Sequence, residues 1–149
     1  MATILPATIE ARDMQLRAAA DLVFLALVIW REARGECDEC KAAVAGCIME
    51  RVRRGGWWGN DVMEVLFRPW QFSSATDPKD RQLTTWPAST ELSWMACLRV
   101  AACAVSGGLQ HPAPGADSYH DISIAPPKWA TVDRFVVRIG RLKFYRTVV

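Results

Sequence analysis

The chain has 149 residues, 18 Lys+Arg against 16 Asp+Glu, a net charge of +2 and 51% apolar residues. Such a chain is long enough for one domain of ordinary size with its own core, 1–149. Its composition excludes a disordered or collagen-like polymer, and its small net charge argues against a dedicated nucleic-acid binder.

The first helix starts within residues 6–13, with Thr8 or Asp13 as N-cap. Leu16, Ala20, Val23, Leu27 and Trp30 then recur at helical spacing. Residues 22–29 are apolar all round, which predicts a central helix, and Gly35 stands where a helix C-terminus favours it. The apolar run 22–30 is too short to span a bilayer, so no stable membrane insertion is expected. A second helix begins near Asp38, presents Cys40, Val44, Cys47, Ile48 and Val52 on one face, and ends at Gly55-Gly56. Asp61 and Glu64 form a capping box for a short helix over 62–67, which Pro69 stops. Residues 70–89 show little periodicity and read as a loop long enough to be functional. Trp94, Leu98, Ala101 and Val105 define a third long helix, closed by Gly107-Gly108. Residues 115–120 hold a short strand. Phe135, Val137 and Ile139 alternate with Arg134, Val136 and Arg138, and Leu142 and Phe144 with Lys143 and Tyr145, as two strands joined at Gly140. The fold class is α+β, mostly α, with a small C-terminal antiparallel hairpin or sheet.

Five cysteines, at 37, 40, 47, 97 and 103, include one Cys-x-x-Cys pair but no second one, so free and mostly buried thiols are expected rather than a metal site. No metal and no cofactor is called for. No secretory signal precedes the first helix. The seven tryptophans divide into Trp30 and Trp94 on apolar helix faces and Trp57, Trp58, Trp70, Trp86 and Trp129 in loops, where sugar or base stacking is possible.

The densest polar cluster is Arg31-Glu32-Ala33-Arg34-Gly35-Glu36, directly after the most apolar helix. A carboxylate at the C-terminal end of a buried helix is desolvated and faces the negative helix pole. Both raise its pKa, as a general acid requires. The plainer alternative is a solvated helix end, with Glu32 and Glu36 paired to Arg31 and Arg34.

The E-A-R-G-E segment, with Ala43-Val44-Ala45 and Arg51-Val52, resembles the opening of the cell wall hydrolase family typified by the spore-cortex-lytic enzyme SleB. Gln71-Phe72-Ser73 with Asp77-Pro78, Val105-Ser106-Gly107, Gly115-Ala116 with Tyr119-His120, Trp129-Ala130, and Ile139-Gly140 with Phe144-Tyr145 resemble its later segments in order. The likeness spans about residues 20–146. It implies a lysozyme-like, lytic-transglycosylase-like domain that cleaves peptidoglycan glycan strands between N-acetylmuramic acid and N-acetylglucosamine. The catalytic glutamate then falls on Glu32. One carboxylate suffices for a 1,6-anhydro product, whereas hydrolysis normally needs a second, for which Glu36, Glu50 and Asp77 are candidates. Substrate-binding candidates are Glu36, Gln71, Ser73, Tyr119, His120 and Trp129. Tyr119 and Trp129 suit sugar faces, and His120 is either a satisfied, partly buried side chain or a partner of sugar or Glu32. Phe72 reads as core and His111 as surface.

Two positions depart from the family pattern. Glu50 replaces an Asn and reads as a partner of Arg53 or Arg54; Leu142 replaces a closing His. These departures leave open a non-catalytic glycan-binding or virion structural module. A helical nucleic-acid binder using Arg51, Arg53 and Arg54 is disfavoured by the charge. Compactness and the missing signal suggest a phage endolysin, made in the host cytoplasm, released with the help of a holin and acting on the cell wall.

Overall fold

The computed structural model describes Ala2 and residues 4–148; Met1, Thr3 and Val149, part of the predicted 1–149 domain, lie outside the described residues. Five helices precede or surround a three-stranded sheet: α1 (Ile9–Ala33), α2 (Asp38–Arg54), α3 (Val62–Phe67), α4 (Ser73–Thr76), α5 (Leu92–Val105), β1 (Ser118–Asp121), β2 (Phe135–Ile139) and β3 (Leu142–Tyr145). Single 3₁₀ turns cover Gly56–Trp58, Arg81–Thr84 and Val132–Arg134.

Thr8, not Asp13, caps α1: its hydroxyl accepts from the Ala11 N–H at 3.1 Å. Only the second half of the predicted apolar stripe reaches the core. Leu16 is exposed, whereas Leu25 through Trp30 are all buried. Each large apolar side chain so buried stabilises the fold by about 1.5–3 kcal/mol. The helix does not end in a left-handed glycine. Arg34 is the C-cap in right-handed conformation, and the Glu36 N–H bonds back to the Ala33 carbonyl. α5 and α2 pack on α1 and on each other, and Cys40, Val44, Cys47 and Ile48 form the buried face of α2. α2 does end in glycines, Gly55 and Gly56 both having positive φ. Asp61 accepts from the Glu64 N–H at 2.8 Å, while the Glu64 carboxylate reaches back to the Asn60 N–H, so α3 has the predicted bounds.

Residues 70–89 are not a plain loop: α4 and a 3₁₀ turn lie inside them. The turn leading into this stretch has an unusual occupant. The Gln71 N–H bonds to the Arg68 carbonyl, with Pro69 and Trp70 at the centre, and Trp70 has φ +72°. That matches a type II turn, where the second central position favours glycine. A bulky aromatic there costs about 1–2 kcal/mol.

The sheet order is β1-β3-β2, antiparallel throughout. Gly140 (φ +57°) and Arg141 form the two-residue link between β2 and β3, with glycine at the first central position as type II′ turns prefer. A register shift between Phe135 and Val137 breaks the predicted alternation of β2 and leaves Phe135 half-exposed against Tyr145. No helix among the described residues is long and apolar enough to cross a membrane.

Candidate active site

The last turn of α1 carries Glu32 out of the core and into a cleft of about 490 Å³, within the usual range of ligand sites. Residues from six parts of the chain wall it: Arg51 of α2, Trp57 and Trp58, Trp70 through Phe72, Ser118 and Tyr119 of β1, Trp129, and Thr147 with Val148. Glu32 opens onto this cleft and its carboxyl is otherwise enclosed by protein. Burial therefore pushes it above the ordinary carboxylate range. The hydrogen bond from Tyr119, the nearby Ser74 hydroxyl and the Arg51 charge pull it back, and Asp80 adds to the rise.

The Tyr119 hydroxyl donates to Glu32 Oε1 at 2.6 Å. Burial and the neighbouring carboxylate raise the tyrosine's own pKa well above 10.0, so it remains the donor. The strand register explains the placement: Tyr119 pairs with Phe144 of β3, against whose ring it also packs at 5.8 Å. His120, the next residue, points to the opposite face, as strand geometry demands. It stacks on Tyr145 at 5.5 Å, Nε2 lies 3.2 Å from the Tyr145 hydroxyl, and it is buried away from Glu32. Of its two sequence readings the satisfied, buried one matches this placement. Trp129 lies edge-on to His120 and Tyr145 and still reaches the cleft wall.

Arg51 carries a buried cation to the cleft. Nε donates to the Asp117 carbonyl at 2.7 Å, Nη1 to Gln71 Oε1 at 3.1 Å, and its guanidinium lies over Phe72 at 5.1 Å. The Gln71 amide in turn donates to the Trp58 carbonyl at 3.2 Å. Gln71 and Arg51 thus brace each other at the cleft wall. Ser73 faces elsewhere: its hydroxyl donates to Asp80 at 2.7 Å, in a neighbouring groove with Asp77. Phe72 is core, with one face on the cleft.

The other carboxylates proposed for the site lie apart. Glu36 turns to the β2–β3 link, near the Arg141 N–H at 3.4 Å, and its carbonyl accepts from Lys41. Glu50 binds Arg53 and Arg54, as expected. Arg31 and Arg34 pair with neither glutamate of their motif. Arg31 holds the Ser74 and Thr85 carbonyls and Arg34 holds the Gln82 side chain, which fastens residues 73–85 against the end of α1.

Several contributors carried no separate sequence signal. Asp117 is fully buried; it accepts from Thr147, Ser118 and Val148 and pairs with Arg54. Burial alone would raise its pKa, but these partners outweigh burial and hold it low. His111 is not surface. It is half-buried against Gly46, with Nδ1 accepting from the Ala113 N–H and Nε2 lying 2.8 Å from the Ala116 carbonyl. Trp58 is buried, whereas Trp57 and Trp86 are exposed. Arg51 was detectable in principle, as a cation four residues after Cys47 on the apolar face of α2. The five cysteines are free; burial pushes Cys40 up to about 12 and Cys97 up to about 11. Among the described residues no three His, Cys, Asp or Glu side chains converge as a metal set.

The solved structures offer two close parallels. The catalytic domain of the Bacillus cereus SleB protein matches at TM-score 0.66 and 26% identity, over 84% of this chain and 88% of that one. The catalytic domain of the germination-specific lytic transglycosylase SleB from Bacillus anthracis matches at TM-score 0.64 and 26% identity, over 84% and 93%. These matches bear out the lysozyme-like fold. No curated protein matches the sequence. The family model for cell wall hydrolases matches residues 35–145, beginning three residues after Glu32. A match over that much of the chain, on the fold shared with the SleB domains, shows that this protein is an enzyme of the cell wall hydrolase family.

Proposed function

We propose that the protein cleaves peptidoglycan glycan strands between N-acetylmuramic acid and N-acetylglucosamine, as a lytic transglycosylase centred on Glu32. The observation that carries the reading is the state of Glu32: enclosed at the cleft floor, raised in pKa, and gripped by the Tyr119 hydroxyl. A carboxyl so held is protonated nearer neutral pH and can donate to the glycosidic oxygen as positive charge develops on the sugar. The resulting carboxylate then takes the proton from the C6 hydroxyl of the muramic acid, whose oxygen closes onto C1 to give a 1,6-anhydro end. Acid and base are one residue, and the proton it lends is returned. Among the described residues lining the cleft, Glu32 is the one carboxylate, which favours this route over hydrolysis by a carboxylate pair. The similar SleB domain from Bacillus anthracis is a lytic transglycosylase, which supports the same reaction here.

The test is a digest of purified peptidoglycan read by mass spectrometry. Anhydro-muramic ends are expected from the wild type, and a rate loss of about 10²–10⁴-fold from Glu32→Gln. Reducing ends would replace transglycosylase by hydrolase, and undiminished cleavage by the variant would remove Glu32 from the mechanism. The proposal extends to phage-type bacteriolysis. Expression in a bacterium is expected to lyse cells when a holin is co-expressed and to spare them without it; lysis independent of the holin would overturn this extension.

A further inference from the structure

Trp70 is the one non-glycine at positive φ among the described residues, and it is 96% exposed. The conformation is unfavourable and the side chain gains nothing from burial. The turn Arg68-Pro69-Trp70-Gln71 would be satisfied better by glycine at its third position. The indole has instead a position shared by two depressions. On one side it walls the cleft of Glu32, with Trp57, Trp58 and Trp129. On the other it walls a separate groove of about 340 Å³ with Pro69, Ser73, Thr76, Asp77 and Pro78. It forms the partition between them.

We infer that this second groove is a further saccharide subsite, and that a glycan strand leaving the Glu32 cleft crosses the Trp70 ring to reach it. The inference rests on the glycan-cleaving reading given above. An aromatic face and two prolines suit the apolar face of a sugar ring. The Ser73 and Thr76 hydroxyls donate their protons to Asp80 and to the Phe72 carbonyl, so their oxygens and the Asp77 carboxylate offer acceptors to the O–H and N–H groups of a sugar. The carboxylate disfavours a negatively charged occupant, so the groove takes an uncharged amino-sugar unit such as N-acetylglucosamine. Strain at an exposed aromatic between two clefts has a ready reason if the ring must stand upright for ligand.

The experiment separates this from a structural role, because the two give opposite signs. Affinity for purified glycan oligomers, from disaccharide to octasaccharide, is measured by calorimetry on Glu32→Gln protein, which prevents turnover, with and without Trp70→Gly. Affinity is expected to rise in a step once the oligomer is long enough to cross Trp70. Trp70→Gly should remove that step, about tenfold, while the thermal midpoint stays unchanged or rises. The absence of a step, a step that survives the substitution, or a fall in thermal midpoint overturns the proposal. Cleavage of the same oligomers by the wild-type chain reports separately on the parent reading, so either can fail alone.

Discussion

Glu32 meets two opposed requirements. The burial that makes it an acid also makes its ionised form costly to the fold. Its folded pKa lies above the ordinary 4.5, so the folded state holds a proton that the unfolded state has released. Stability linked to this group is present below 4.5 and is lost as pH rises through the folded value. Glu32→Gln removes that loss while keeping an oxygen for the Tyr119 hydroxyl. The variant is therefore expected to be inactive yet more stable than wild type at neutral pH, with the advantage vanishing below about pH 4.5. Denaturant midpoints across pH check this; an advantage independent of pH would point to some other cause. The glutamate was legible because a short motif follows an apolar helix. Its partner was not, because Tyr119 lies 87 residues away. Nor could residue types separate Tyr119 from His120. The pleat of one strand sends one to the carboxyl and the other behind the sheet.

Elements with a repeat or a cap were legible; those without were not. α2, α3 and α5 were placed from periodicity and glycine or capping residues, whereas a four-residue helix such as α4 is shorter than two turns and shows no period. The bulge in β2 was hidden for the same reason, since one inserted residue mimics continued alternation. The α3 cap gives a direct check on the local physics. Asp61→Ala removes the acceptor for the Glu64 N–H and should cost about 1 kcal/mol in urea unfolding. Asp61→Asn should recover most of it, and equal losses from both would show that the cap bond contributes little. The segment after α3 has its own turn hydrogen bonds and is also held from outside, by Arg31 and Arg34. Two arginines that read as partners for carboxylates thus serve as fasteners for one cleft wall.

Across the whole molecule, Asp117 joins the end of α2, the start of β1 and the segment after β3. Asp117→Ala leaves Arg54 without that buried partner and is expected to cost about 3–5 kcal/mol, read from chemical denaturation. A cost below about 1 kcal/mol would show that water replaces the carboxylate freely. Asp117 and His111 both have depressed pKa values in the fold. For each, stability is present above the unfolded value and lost as pH falls, from about 6.5 for His111 and 3.8 for Asp117. Sequence could not foresee this hub, because its members come from positions 54, 117, 118 and 147 and share no pattern. The strand order carries one more consequence. β3 follows β1 and β2 in the chain but lies between them, so neither earlier strand has its partner until residues 142–145 exist. During synthesis on the ribosome, β1 has no strand to pair with, Asp117 lacks Thr147, and Tyr119 has no sheet to aim it at Glu32. A nascent chain carrying the whole of α1 is therefore without an assembled site, and the acid is completed only when the late strand slots into the middle.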